Sequence, residues 1–499
     1  MRSLSVLDSL TSAVVTLPKL PDTLAFSYPA VTGRQWVVRS GENLQSVLNQ
    51  ARRGDEIVLE SGATFAGGFQ LPAKPGTSSD GWILIRSERS TQLPPRGVRV
   101  TPSNASLMAK IETSSPAPAL TTALHASGWW ISGVEFTAAP SVTTQYGLVK
   151  LGLGGAPQNE LSEVPTDLVL DRVYIHGQTT TDTQRCLELN SARTQVSDSY
   201  LMDCHGKGYD SQAIVGWNGP GPFRIENNML AGAGENIMFG GADPAIPGLV
   251  PADIVIRGNY IYTPPSWKTI WTKKNLFETK NAERLLIEGN VLDGSWADAQ
   301  TGYAFNLKVS NQSGRCTWCA VRDVTIRYNI IRNAGAAFDI SGNSGSNNNP
   351  IAERMNRVLL EHNIVEEINV GVYKGDGTMI QVVNNVQNVT IRNNTLTTSG
   401  AQKLVLAIGK KPAATNLDFS ANAFSLGQYG IFSTAFGVGE IALQGVAGVA
   451  TFSRNVIVGP QKPGYPNATF ASSLAGALGA GAGANRARVQ QMTANVVIP

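Results

Sequence analysis

The sequence predicts an all-β chain, a single-stranded right-handed parallel β-helix (a solenoid) with a short N-terminal capping helix. Three observations carry this. A block reading apolar-x-apolar, two polar residues, Asn, x, apolar recurs along most of the chain. Its spacing is 26 to 39 residues, within the range of stacked-repeat architectures. Each block alternates with period two and is rich in Val and Ile, whereas the segments between show few 3.6-residue stripes long enough for a helix.

The clearest copies end in Asn228, Asn259, Asn290, Asn329, Asn363 and Asn394, with weaker ones at Asn422 and Asn455. Earlier copies place Val134, Val173 and Ser199 at the same point. Asparagine suits a tight turn between strands because it tolerates a left-handed backbone, and its amide can bond the asparagine of the next coil. A solenoid end must be covered, since an open coil exposes core and strand edges. Asn43 to Arg52 reads as a short amphipathic helix and is expected to be the N-terminal cap. Residues 1–35 are read as an N-terminal extension, 36–465 as the β-helix domain, and 466–499 as an irregular tail, Ala/Gly/Ser-rich over 471–484.

Composition agrees. Charged residues are only 15% and hydrophobic ones 42%, which excludes a disordered chain and supplies a large core. The net charge of +3 points to neither nucleic acid nor membrane as partner. No run of about 18 apolar residues exists to span a bilayer. Met1 to Lys19 is mildly apolar but contains Asp8 and lacks a small-residue cleavage site, so it is not read as a signal peptide. The four cysteines are Cys186, Cys204, Cys316 and Cys319. The close pair Cys316/Cys319 is open to a loop disulfide or two free thiols; zinc would want a second close pair, and a redox motif a thioredoxin-like context.

The opening Ser40-Gly-Glu-Asn-Leu-Gln-Ser-Val-Leu-Asn-Gln-Ala-Arg-Arg-Gly-Asp-Glu-Ile-Val-Leu59 resembles that of secreted β-helix polysaccharide lyases. Within the pectate-lyase-like superfamily it is most similar to the alginate lyase and chondroitinase B family. The repeated asparagine blocks continue the likeness to about residue 460. The resemblance implies an extracellular or cell-surface protein acting on an acidic polysaccharide.

A second strand series precedes the asparagine blocks: Cys186–Asn190, Ile214–Trp217, Ile237–Gly240, Phe277–Lys280, Phe305–Lys308, Phe338–Ser341 and Ile380–Val383. With the apolar members facing inward, Glu188, Asn190, Glu278, Lys280, Asn306, Lys308, Asp339 and Gln381 face outward. Three successive coils then display Glu278 with Lys280, Asn306 with Lys308, and Asp339. In β-elimination of a uronate glycan, a cation must neutralise the sugar carboxylate and a base must take the C5 proton. Glu278-Thr-Lys280-Asn, followed by Ile287-Glu-Gly-Asn290, resembles the family's catalytic lysine strand, which makes Lys280 the expected base. Lys308 beside it would lower its pKa and Glu278 would raise it. Asn306 and Lys308 are expected to hold the carboxylate, or else Glu278, Asp339 and Glu188 to hold a calcium ion that does so.

Two rival readings stand beside this. Glu278 and Asp339, two coils or roughly 9.6 Å apart, lie near the upper end of the spacing expected of an inverting glycosidase. The paired-aspartate signature of polygalacturonases is absent. A non-catalytic glycan-binding or adhesive solenoid is the other. The loop Ser266-Trp-Lys-Thr-Ile-Trp-Thr-Lys-Lys274 supports an acidic glycan in any case: Trp267 and Trp271 for stacking on sugars, Lys273 and Lys274 for pairing with carboxylates. His205 and Lys207 form a further candidate contact. No nucleotide-phosphate loop, Ser-His-Asp spacing or complete metal motif is present.

Overall fold

The computed structural model describes residues 13–343, 349–398, 406–408 and 413–496, with no side-chain description for 406–408. Residues 1–12, most of the mildly apolar stretch Met1 to Lys19, lie outside it. The chain winds as a right-handed parallel β-helix with three long faces, sheets of 14, 14 and 13 strands among the described residues. We call these sheets I, II and III in the order the first coil enters them, from Gln35–Val38, Thr64–Ala66 and Phe69–Leu71. Every inter-coil pairing is parallel except the last in sheet III, between Ile431–Ser433 and Gly437–Val438. Inward-pointing Val, Ile, Leu and Phe of all three sheets form one continuous core along the axis.

The predicted asparagines build the corner from sheet I to sheet II. From Asn259 onward each Oδ1 accepts the backbone N–H of the asparagine one coil earlier, as in Asn228 N to Asn259 Oδ1 (2.9 Å) and Asn259 N to Asn290 Oδ1 (2.9 Å). The stack continues to Asn422 N on Asn455 Oδ1 at 3.0 Å. All eight are buried, so this corner has no water to satisfy its amides and the ladder does it instead. The left-handed residue is not the asparagine but its predecessor, for example Tyr328 (φ 57°), His362 (φ 55°) and Arg454 (φ 55°). The asparagine is selected for its amide, and the strained turn conformation falls on its neighbour. Ser199 occupies an earlier rung, its Oγ accepting Val173 N at 3.0 Å.

The N-terminal helix forms over Leu44–Gln50 with Asn43 as its cap, and Leu44 and Leu48 close the end of the core. At the far end a helix not expected from the sequence, Glu440–Ala447, buries Ala442, Leu443 and Val446 in the same role. The segment 466–499, read as irregular, instead adds strand Thr469–Ala471 to sheet II and forms helices Leu474–Gly479 and Arg486–Thr493. Gly481 and Gly483 lie between the two helices, and Val489 is buried against the coils. No helix among the described residues is long and apolar enough to cross a membrane.

The N-terminal extension is a strap. It runs back along sheet I, with Ala13 N on Thr451 Oγ1 (2.9 Å), Lys19 N on Asp323 Oδ1 (2.9 Å) and Asp22 N on Asp253 Oδ1 (3.0 Å). Phe26 and Tyr28 then meet Trp82 and Trp130 edge-on. Outside the strap, sheet I carries an in-register ladder of alternating charge, Glu226, Arg257, Glu288, Arg327, Glu361 and Arg392. Opposite charges directly across neighbouring strands favour this register.

Both cysteine pairs are disulfides. Cys186–Cys204 ties strand Arg185–Leu189 to Tyr200–Cys204 inside the coil, and Cys316–Cys319 closes a tight loop after Tyr303–Lys308.

Candidate functional site

The site lies on the outer face of sheet III. Its strands Asn275–Thr279, Tyr303–Lys308, Ala336–Ser341 and Ile380–Val383 pair in register, with Phe277, Phe305, Phe338 and Ile380 in one row. These point inward, the phenylalanine rings 5.7 and 4.9 Å apart. The next residue of each strand therefore faces out, giving the row Glu278, Asn306, Asp339, Gln381 that the alternation predicts.

Glu278 is the hub. Its Oε1 lies 3.3 Å from Lys280 Nζ and 3.1 Å from Lys308 Nζ, while its Oε2 accepts from Asn275 Nδ2 at 2.9 Å. Asn306 Nδ2 adds a 3.5 Å contact. Burial alone would raise the Glu278 carboxyl, but Lys308 and Lys280 outweigh it and hold it below its ordinary range. Its side chain is 1% exposed, against 13% for Lys280 and 19% for Lys308, so the ammonium groups, not the carboxylate, meet the solvent. Asp339, its carboxyl raised by burial, is bonded by Gln381 Nε2 at 2.9 Å.

One coil earlier sits Glu235, unexposed and unassigned by sequence reasoning. Gln212 Nε2 donates to its Oε2 at 2.8 Å, and Lys274 Nζ lies 3.7 Å from its Oε1 while bonding Asp210. Burial first, then Glu278 and Asp210, push its carboxyl up to about 8, so it holds a proton at neutral pH. Three coil steps before Glu278 in the same row, Glu188 repeats the hub pattern. Its Oε1 is 3.1 Å from Lys150 Nζ and 3.2 Å from Arg185 Nη1. Lys150 lies in a coil without an asparagine block, which hid its strand, Val149–Leu151, from the repeat search.

Several expected contacts are overturned by burial. Trp267 and Trp271 do not present faces to a glycan. Both are buried on His205, whose ring stacks on Trp271 at 3.8 Å and meets Trp267 edge-on at 5.0 Å. His205 is itself unexposed, and burial drops its pKa to about 4, so it stays neutral. Lys273 is buried beneath the loop, donating to Thr263 Oγ1 (3.0 Å) and Asn275 O (2.8 Å). Burial lowers it to about 7, and it pins the loop where a substrate contact was expected. Asn190 turns the corner toward sheet I, its Oδ1 accepting Trp217 N and Asn218 N. Lys207 is exposed, 5.4 Å from the Trp271 ring.

The calcium expectation fails on its donors. Glu188 and Glu278 lie three coils apart and each is matched by two cations. Among the described residues no cluster of three or more His, Cys, Asp or Glu gathers to hold a metal.

These features define a right-handed parallel β-helix carrying a charged face on one sheet. The mannuronic acid specific polysaccharide family 6 lyase from human gut microbiota shares this fold at 12% identity, over 86% of this chain and 87% of its own, with a TM-score of 0.53. An alginate lyase from Paenibacillus sp. str. FPU-7 aligns at 16% identity over 84% of this chain and 99% of its own, TM-score 0.31. The family 6 alginate lyase AlyGC aligns at 13% identity over 88% of this chain, TM-score 0.49, and the aligned region is 53% of its length. The likeness to the gut lyase, at 12% identity, is one of fold. No family model and no curated protein matches the sequence.

Proposed function

We propose that the chain is a polysaccharide lyase that cleaves a uronate-containing glycan by β-elimination. The observation that carries the reading is the convergence of two partly exposed lysines on one buried carboxylate in the middle of an open sheet face. Elimination makes two demands: a cation against the sugar carboxylate, so that charge developing at C5 is stabilised, and a group that removes the C5 proton. Lys308 meets the first and Lys280 the second. Lys280 takes the C5 proton, the electrons of the C5–H bond form the C4–C5 double bond, the C4–O4 bond breaks, and O4 takes up a proton from water as it leaves. Glu278 positions both lysine side chains, and Asn275 and Asn306 hold Glu278 in place.

Hydrolysis is the weaker reading because Glu278 is enclosed and each of its oxygens already faces donors. Only Asp339 of the supposed carboxylate pair reaches the surface. The two disulfides favour an oxidising, extracellular setting, in keeping with a polymeric substrate.

The test is a panel of alginate, pectate and glycosaminoglycan substrates, followed by the ultraviolet absorbance of the unsaturated uronate product and by new reducing ends. Lys280→Arg keeps the charge but cannot take a proton, so it should fold normally and lose activity by at least about a hundredfold, the low end for general base catalysis. Because lysine accepts a proton only as the free amine, the wild-type rate should climb toward alkaline pH. Reducing ends without the absorbance would turn the assignment to hydrolysis. Silence in both would leave a glycan-binding solenoid.

A further inference from the structure

Sheet III carries its hub pattern twice, and only one copy is used by the reaction proposed above. We propose that Lys150 and Arg185 form a distal subsite for a second carboxylate of the same uronate chain; this rests on the reading of the chain as a uronate-specific lyase.

The argument starts from charge. At the catalytic hub one carboxylate faces two cations, leaving a net charge of +1. The same balance holds at Glu188, where Lys150 and Arg185 share a single oxygen. A buried carboxylate that has two partners orients both without neutralising both, and the surplus cation is available to an anion. Both side chains are 26% exposed whereas Glu188 is 4% exposed, so an approaching ligand meets the cations first. Arg185 also retains a buried Nε with no hydrogen-bond partner. Its guanidinium lies 5.1 Å from the Trp217 ring, which braces it from one side.

Gly147 borders the ion pair: a Cβ there would stand 2.7 Å from Lys150 Cε and 2.9 Å from Glu188 Oε1, so a side chain at this position would push Lys150 away from Glu188. Its neighbour Tyr146 is 55% exposed, an aromatic side chain of the kind that packs on sugars.

Between the hubs the row is apolar. Val215 and Met238 occupy the intervening positions and pack with Trp217 and Ala242. They offer nothing to a carboxylate. The two positive points are thus separated by three coil steps, about 14 Å at ordinary strand spacing. No single sugar bridges that span, whereas an oligosaccharide bearing a carboxylate on each unit can place one at each end. The subsite therefore selects for chain length and for charge, and the ligand class is an oligouronate longer than a disaccharide.

The experiment uses the full chain carrying Lys280→Ala, so that bound oligomers are not cleaved. Binding of size-graded oligomannuronates, oligoguluronates and oligogalacturonates is measured by calorimetry, with wild-type cleavage of the same panel in parallel. Affinity should rise with length, and adding Lys150→Ala or Arg185→Ala should cost the longer oligomers about tenfold while disaccharide binding holds. Glu188→Gln removes the competing anion and should tighten binding of the longer oligomers severalfold, a change that loss of folding cannot imitate. If long oligomers bind equally well to the Lys150, Arg185 and Glu188 variants, the subsite is wrong and the lyase reading stands. If no oligouronate of any length is bound or cleaved, both are overturned.

Discussion

Replacing Asn329 by alanine should cost about 3–5 kcal/mol, whereas serine at the same place should cost roughly 1–2. Asn329 sits in the middle of the ladder, where its Oδ1 accepts Asn290 N (2.9 Å) and Asn290 Nδ2 (3.0 Å). Its Nδ2 donates to Ile287 O, Arg327 O and Asn363 Oδ1 at 2.9, 3.0 and 3.0 Å. Most of these groups keep another partner in the alanine variant. Asn290 Nδ2 still reaches Ile256 O and Glu288 O, and Asn363 Oδ1 still accepts Asn329 N. The Asn290 N–H does not, and a buried donor left alone costs about 1–3 kcal/mol, to which the lost neutral bonds add about 1 each with partial redundancy. Serine avoids the orphan, because Ser199 on an earlier rung already accepts a backbone N–H with its hydroxyl. Chemical denaturation of wild type, Asn329→Ala and Asn329→Ser would check the order and the gap. Equal costs for the two variants, or an alanine cost under about 1 kcal/mol, would refute the view that the orphaned amide dominates.

The buried Glu235 makes stability depend on pH. Its folded-state pKa of about 8 lies above the ordinary 4.5, so the folded chain keeps a proton that the unfolded chain releases. The contribution is complete below about pH 4.5 and is lost as pH rises toward 8. Relative to Glu235→Gln, the wild type should weaken by a few kcal/mol across that window, and parallel stability curves would contradict the assignment. Along the strap, Phe26→Ala or Tyr28→Ala should shift tryptophan fluorescence to the red as Trp82 and Trp130 become wetter, and lower stability by about 1 kcal/mol each; an unchanged spectrum would mean the strap does not hold its place in solution. For the disulfide Cys204→Ala variant, closing an 18-residue separation predicts a loss of about 3 kcal/mol, measurable as a lower denaturation midpoint.

The fold and the central row of the site were legible because both repeat with the coil. The asparagine blocks mark one corner of each turn, and the alternation of Phe277/Glu278, Phe305/Asn306 and Phe338/Asp339 dictates which residues face out. What alternation cannot supply is depth. Glu278 and Lys280 share an outward parity, yet neighbouring side chains roof over the first and leave the second at the surface. The loop 266–274 misled for a related reason: tryptophans and lysines read alike on a sugar platform and in a packed loop, and only the placement of His205 beneath the rings decides between them. Lys150 was missed because the repeat signal fades toward the N-terminal coils, where Val134 and Val173 stand in for asparagine, and Arg185 because it stands one residue ahead of the strand read from Cys186.

The strap touches sheet I at Asp253, Asp323 and Asn388, which lie on every second coil. The coils between present Arg284 and Arg357 at the same left-handed position, each clasping an aspartate of the preceding coil. Three residues of extended, proline-punctuated chain advance about 9.3 Å, close to the roughly 9.6 Å of two coils, so the strap's amides keep step with alternate rungs. The extension thereby reads the parity of the solenoid. Duplicating or losing one coil would set its N–H groups against guanidinium groups, donor facing donor, while a change of two would leave the match intact. Lineages of this protein should therefore gain or lose turns of this region in pairs.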